Sequence, residues 1–414
     1  MVNTKLLNKI LHQLQENNWN KTMLSQKSGL HLSEISRILN SKQSLSLHNL
    51  DTLTRAFELT EDTFYPYYVM ECFLENGFLN KRRSEQFLYR CAEKGFKEPL
   101  QQILDSILEE RSKPILSKNL DLVFTVAEAL FKDGNEKQSL RLYETIIESM
   151  PNHNSEQVAI SYYRKFYLVI GTEEEESAIT LVLKHLQYMP YEFQILSYFW
   201  IVFAFYDRQQ WHKALYYAKF LEQSAREGEY YAEGLLYQAF ALRRLGGTLE
   251  EIIELIDRSS KVNEYYEDIA IGNRFITYIN YEKFDCLDQY LSWAEGRNDL
   301  YISLPHILEG LVKSERIEDA GLLLNRHQQI FEKVPPNNEL RKMKVYLHFR
   351  YAVGLYLCAR NQIEEGLHEL LDVANKAHEF GYLKRFKKCI QVYWKYKYHV
   401  NDEHELKFMH LLSS

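Results

Sequence analysis

Cysteine, glycine and proline are all sparse in this chain, and each scarcity closes off a class of protein. Only five of the 414 residues are Cys, at positions 72, 91, 286, 358 and 389. No two stand at CxxC spacing and their number is odd. That excludes a disulfide framework and a Cys-ligated zinc site, and it points to a reducing compartment. Sixteen Gly and eight Pro are too few for a turn-rich all-β design. With abundant Leu, Glu, Lys and Tyr, the composition favours helix. Long apolar runs are absent too. The longest, Phe193 to Tyr206, is broken by Gln194 and Ser197 and is too short to span a bilayer. The segment Met1-Val2-Asn3-Thr4-Lys5 has no apolar core of the kind a signal peptide needs. The expectation is a cytoplasmic protein with no membrane partner.

Catalytic signatures are missing as well. There is no GxxxxGK[ST], no HExxH and no GxSxG. His185, His212, His306, His327, His348, His368 and His378 are dispersed, and no two pair with a carboxylate at ligand spacing in a way that beats chance. We therefore expect no enzyme, no cofactor and no metal site. What the chain has in plenty is Tyr, thirty residues. Tyr fills the large positions of helical repeats, or lines grooves that grip flexible partners. Net charge is −7, unevenly spread. Residues 1–57 carry seven Lys or Arg against Glu16, Glu34 and Asp51, so a small basic head precedes an acidic body. A basic head suits phosphate; an acidic body does not.

The head reads as a three-dimensional motif, residue by residue. Leu6, Leu7, Ile10, Leu11 and Leu14 recur at helical spacing and predict an amphipathic helix over 4–16, ended by Asn17 and Asn18. From Lys21 to Asn40 the order is helix, tight turn, helix. Leu24 points inward, Ser25 is small where helices touch, and Gly29 takes the turn position that needs a positive φ. Leu30 anchors the turn and Ser33 is the expected N-cap of the second helix. Ile35, Ile38 and Leu39 form its buried stripe, leaving Ser33, Glu34, Ser36 and Arg37 on the outer face that a recognition helix shows to the major groove. Arg37 can donate to a guanine edge or to a phosphate. Lys21, Thr22, Lys42 and Gln43 flank that face. Leu45, Leu47, Leu50, Leu53 and Phe57 close the bundle. The string Leu24-Ser25-Gln26-Lys27-Ser28-Gly29-Leu30, then Ile35-Ser36-Arg37-Ile38-Leu39-Asn40, then Ser46-Leu47 and Leu50 through Phe57 resembles the Cro-type (XRE-like) helix-turn-helix family. The resemblance implies binding to a double-stranded DNA operator.

Beyond the head, Tyr65-Pro66-Tyr67-Tyr68 marks a joint. Pro66 biases Tyr65 away from helix, so a hinge is expected within a linker over 63–84. The basic run Lys81-Arg82-Arg83 starts a solvated helix or touches DNA backbone. Glu173-Glu174-Glu175-Glu176 reads as a solvated helix N-terminus. Over 85–394 the pattern is one of paired helices in a tetratricopeptide-like register, large residues early and a small one later. Four windows carry it: Val123, Val126, Ala127 and Leu130 with Ser139, Tyr143 and Ile146; Tyr198, Ile201 and Phe205 with Ala214, Ala218 and Leu221; Leu304, Ile307, Leu308 and Leu311 with Ala320 and Leu324; Val353, Gly354 and Leu357 with Gly366, Leu370 and Val373. Ala232 to Leu245 with Leu249 to Ile256 is a further pair. The fold class expected is all-α: a helix-turn-helix bundle over 1–62, a right-handed superhelix of helix pairs, and a capping helix over 395–414. Stacked pairs make a groove suited to extended peptides.

The combination of head and repeat body resembles the peptide-sensing regulators of Gram-positive bacteria, and within them the phage arbitrium receptors (the AimR family). The segments that carry the resemblance are Cys91-Ala92-Glu93, Leu104 to Leu108, Asn273 to Tyr281, Leu308 to Leu311 with Ala320 and Leu323, and the terminus Glu405 to Ser413. It implies a homodimer that binds operator DNA near its own locus, controls a lysogeny-regulating transcript, and is switched by a short secreted signalling peptide. By the same resemblance the C-terminal Leu406, Phe408, Met409 and Leu411 pack across a two-fold axis. A peptide groove needs backbone partners, a cation for a carboxylate and aromatic walls. Arg226, Glu229, Tyr237, Asn273, Arg274, Tyr278 and Arg350 are the candidates, with the acid Glu229 standing where a base was to be expected. Two other readings share this architecture: a chromosomal quorum sensor that also binds a response-regulator protein, and a dimeric regulator with no peptide effector.

Overall fold

The computed structural model describes residues 4–74, 76–332 and 340–413. Among them there are twenty-three α-helices, four short 3-10 turns and no strand beyond a single isolated bridge, Phe73 to Leu79. The all-α expectation holds, with a helix-turn-helix bundle followed by an array of helix pairs. The chain divides into two compact units, Met1–Ala204 and Phe205–Ser414.

The first unit opens with α1 (Thr4–Glu16), α2 (Lys21–Ser28), α3 (Leu32–Leu39) and α4 (Leu47–Ala56). Their apolar positions turn inward as the periodicity predicts: Leu6, Ile10, Leu14, Leu24, Ile35, Leu50 and Leu53 are all buried. Each such Leu or Ile contributes roughly 1.5–3 kcal/mol on leaving water. The helices after the head run Lys81–Lys94, Lys97–Leu108, Lys113–Lys132, Glu136–Ser149, Glu156–Val169, Glu175–His185 and Tyr191–Asp207.

Two local expectations in this unit need correction. Tyr65 does not lie in extended backbone at a hinge. It opens a helical turn, Tyr65–Tyr68, with Pro66 in the first turn, where its missing N–H costs nothing. Tyr65 and Tyr68 are fully buried. Tyr65 Oη donates to the Asp51 carboxylate at 2.9 Å and Tyr68 Oη donates to the Leu45 carbonyl at 3.1 Å. Both rings pack on Phe87, with centroids 5.4 and 5.5 Å away. A single apolar core therefore runs from Leu6 through Phe64, Tyr65 and Phe87 to Val158. The propensity of a pre-proline residue lost to the burial of two large rings. The acid run is the second correction: Glu175 is buried, and its carboxylate accepts from the Gly171 N–H at 2.5 Å, fastening the turn before its helix.

In the second unit the helices pair as the small residues dictate. Trp211–Ala225 lies against Gly228–Leu245, Leu249–Ser259 against Glu264–Asn280, Leu300–Lys313 against Ile317–Glu332, and Leu340–Ala359 against Ile363–Glu379. Gly234 shows why small residues are needed. A Cβ there would sit 2.8 Å from the Glu222 backbone nitrogen. At Gly366 it would sit 2.5 Å from the Cys358 sulfur and 2.9 Å from the Cys358 nitrogen. Leu383–Lys395 and Asp402–Ser413 end the chain.

Candidate nucleic-acid interface and the basic cavity

The turn between α2 and α3 is built from caps. Asn20 caps α2 by accepting from the Met23 N–H at 2.9 Å, and Gly29 ends it with φ +73°. Ser25 Oγ donates to the Leu30 carbonyl at 2.6 Å, tying the turn across. The N-cap of α3 is His31, not Ser33. Its Nδ1 accepts from the Ser33 N–H at 3.3 Å, and Ser33 lies in the first turn. An imidazole nitrogen does here what a hydroxyl was expected to do.

The outward face of α3 is more differentiated than the sequence suggests. Ser33 and Arg37 are exposed, and the Arg37 guanidinium has no partner among the described residues. Glu34 and Ser36 are half-buried. The Glu34 carboxylate accepts from Asn49 Nδ2 on α4 at 2.7 Å, and Ser36 Oγ accepts from Asn40 Nδ2 at 3.3 Å. Glu34 thus braces α3 against α4, a role set by a contact fifteen positions away. Lys21, Thr22 and Lys42 are exposed beside the helix, and Gln43 is half-buried. An exposed Arg on a buttressed helix, with lysines at its rim, leaves both kinds of side chain able to reach outward from the motif.

The helix-turn-helix family model matches residues 10–64. This chain carries a helix-turn-helix DNA-binding domain. No curated protein and no solved structure matches the chain. The helix-turn-helix marks a DNA-binding transcription regulator, and none of the described helices is long and apolar enough to cross a membrane.

In the second unit the seven residues expected to hold peptide are not gathered around one cavity. Arg274 is paired with Asp257 at 2.6 Å, Arg350 is clamped by both oxygens of Glu369, and Tyr237 is buried. Asn273 Nδ2 donates to the Ile269 carbonyl of its own helix at 3.1 Å. Arg226 ends the helix Trp211–Ala225 with φ +59°, and Glu229 is exposed in the first turn of the next. Tyr278 is half-buried. The cavity of about 540 Å³ in this unit is lined by none of them.

That cavity is strongly basic. Arg243 and Arg244 enter from the end of Gly228–Leu245, and Lys384, Arg385 and Lys388 from Leu383–Lys395. Lys313 and Lys344 complete the ring, and Glu309 is the one carboxylate lining it among the described residues. Glu309 is already engaged by His348 Nε2 at 2.7 Å, Lys313 at 2.9 Å and Lys388 at 3.0 Å. Burial raises the Glu309 carboxyl, but the His348 hydrogen bond and the charges of Lys388 and Arg385 outweigh it and hold the group well below its ordinary range. Burial and the Arg385 charge push the His348 imidazole down to about 4, so it is neutral near pH 7 and donates through Nε2–H. Burial, with Arg244, Lys388, Arg243 and Arg385 nearby, pushes the Lys384 ammonium down to about 7. The one hint in the sequence was the density of cations in Leu383–Lys395. Nothing in it showed that Arg243, some 140 positions earlier, would meet them.

The C-terminal helix splits the four residues expected at a dimer interface. Leu411 is buried in its own chain's core, and Phe408 stacks on Tyr393 with centroids 4.5 Å apart. Leu411 is therefore spent within its own chain and is not open to a partner. Leu406 and Met409 stand 71% and 63% exposed on one side of the helix, joined by Leu412 at 60%.

Proposed function

We propose that this regulator binds an operator as a homodimer and that a short signalling peptide held by the second unit switches that binding, in lysis–lysogeny control of the arbitrium kind. The observation that carries the DNA half is the exposed Arg37 on α3, without a partner among the described residues and flanked by Lys21 and Lys42. The regulatory half is supported by the paired-helix body. The exposed stripe Leu406, Met409 and Leu412 is apolar surface of the kind a two-fold contact covers. A dimer presents two recognition helices about one DNA turn, ~34–36 Å, apart, so the operator is expected to be a near-palindrome.

The test is anisotropy of labelled DNA from the regions flanking the gene, with and without the short peptide encoded beside it. Tight binding that is lost or altered on adding peptide supports the reading. Tight binding indifferent to peptide leaves a dimeric regulator without that effector. Absence of specific binding to any flanking segment overturns the operator assignment.

A further inference from the structure

The basic cavity of the second unit holds more positive charge than the protein itself neutralises. Lys313 and Lys388 share Glu309, and Lys344 is paired with Asp207 at 3.0 Å. Arg243, Arg244, Lys384 and Arg385 have no carboxylate partner among the described residues. Among the described residues Arg243 donates only to the Thr277 hydroxyl, at 3.2 Å. Arg385 is the sharpest case. It is 95% buried, since its relative exposure is 5%, and its Nε and Nη1 have no hydrogen-bond partner among the described residues. Its guanidinium lies 4.3 Å from the centre of the Tyr351 ring, which fixes its plane but satisfies no N–H. Arg244 Nε is likewise buried and unsatisfied.

A buried guanidinium with two idle donors is costly to maintain, because each lost hydrogen bond to a charged group is among the more expensive defects in a protein interior. Arg385 carries two such idle donors and Arg244 one, and Arg243 and Lys384 bring two further cations without a carboxylate partner among the described residues to the same cavity, an excess of charge that a ligand would complete. Burial first, and then the charges of Arg244, Lys388, Arg243 and Arg385, depress the Lys384 ammonium at the same place. The ligand must bring clustered negative charge, since one carboxylate cannot answer four cations. It must also be compact: about 540 Å³ lies within the range of small-molecule sites. Arg243 and Arg385 present planar forks suited to bidentate contact with phosphate or carboxylate oxygens. Ile276, Ile302 and Tyr281 supply an apolar side to the same space.

We propose that this cavity is a binding site for a small polyanion, a molecule with two or more adjacent ionised phosphate or carboxylate groups. The site is separate from the residues assigned to the signalling peptide and does not depend on that assignment. Its occupant neutralises Arg243, Arg244, Lys384 and Arg385 together and locks the helices Gly228–Leu245 and Leu383–Lys395 at a fixed separation.

The experiment is titration calorimetry and thermal denaturation of the full chain with inorganic pyrophosphate, citrate and tetraglutamate, each matched in ionic strength with sodium chloride. Saturable binding of pyrophosphate or citrate at one site per chain, with a raised melting temperature, is expected. Preference for pyrophosphate assigns the phosphate source, and preference for citrate the polycarboxylate source. Lys384→Met and Arg385→Met should each weaken that binding by roughly ten- to a hundredfold, as loss of a charge-assisted hydrogen bond predicts. Lys384 is half-buried and at the start of its helix, so its variant is expected to fold even if the Arg385 variant does not. Absence of binding by both small anions overturns the proposal. So does binding that Lys384→Met leaves unchanged. Tetraglutamate binding more tightly than either would make the cavity a peptide site and overturn it equally.

Discussion

Replacing Arg37 by Ala separates recognition from folding. The side chain is exposed and makes no hydrogen bond or ion pair among the described residues. Its removal should change stability by no more than about 0.5 kcal/mol, the usual scale for a surface site without special contacts. The neighbouring Ile35, Ile38 and Leu39 keep α3 packed, and the His31 cap and the Glu34–Asn49 brace do not involve residue 37. On DNA the loss is larger. A bidentate contact to a base edge is worth ~1–3 kcal/mol, and at 1.4 kcal/mol per tenfold this weakens specific binding by about 5- to 150-fold. The assay is anisotropy on operator and on scrambled DNA, at several salt concentrations. If Arg37 reads a base, the ratio of specific to non-specific affinity falls and the salt slope barely moves. If it touches only phosphate, both affinities fall together and the slope drops by about one. Unchanged affinity and unchanged preference would refute the placement of Arg37 at the interface, and a fallen melting temperature would refute its independence from the fold.

Other outcomes follow from specific contacts. Lys42→Ala should weaken all DNA binding alike and lower the salt slope by about one, measured by the same titration. Gly366→Ala should destabilise the second unit by roughly 1–3 kcal/mol, because the new Cβ meets backbone atoms of Cys358 and Gly354 that cannot rotate away; a melting curve as stable as the parent's would contradict the close helix approach. Tyr65→Phe should cost ~1–3 kcal/mol near neutral pH by removing the donor to Asp51. Burial already holds the Asp51 carboxyl above its ordinary value and the Tyr65 bond offsets part of that, so the cost should shrink as acid protonates Asp51; a pH-independent difference in chemical denaturation would count against it. For Lys384 the folded-state value, about 7, lies below the unfolded one. The unfolded chain therefore binds more protons between about pH 7 and 10.5, and stability should rise with pH across that window. Lys384→Met should flatten that rise, and a saturating polyanion should flatten it too.

The parts legible in the sequence were those governed by local rules. Periodicity placed α1 at its observed bounds, and Gly29 marked the turn because a positive φ leaves few other choices. The small residues at 214, 218, 354 and 366 marked helix pairs, since close approach is a local requirement with a local signature. What was not legible depended on contacts between distant residues. Glu34 looked like a free outward acid until Asn49 claimed it. Pro66 signalled a break, and only the Phe87 ring across the core shows why the chain stays helical there. The pairing of His348 with Glu309 spans thirty-nine positions and follows no motif. Arg243 and Arg385 carried no mark of convergence, because each alone reads as a cation at the end of an amphipathic helix.

The packing of Tyr65 and Tyr68 on Phe87 bears on how such a regulator can be taken apart. A cut after residue 62 would strip Phe57 and α4 of the aromatic floor they rest on and leave the severed head with a sticky underside. Chimaeras that graft this head onto another body should therefore carry the chain through at least Lys94, the end of the helix that bears Phe87. The unit of exchange between regulators of this build is then the reader plus its first supporting helix, and recombination at the proline would yield insoluble hybrids.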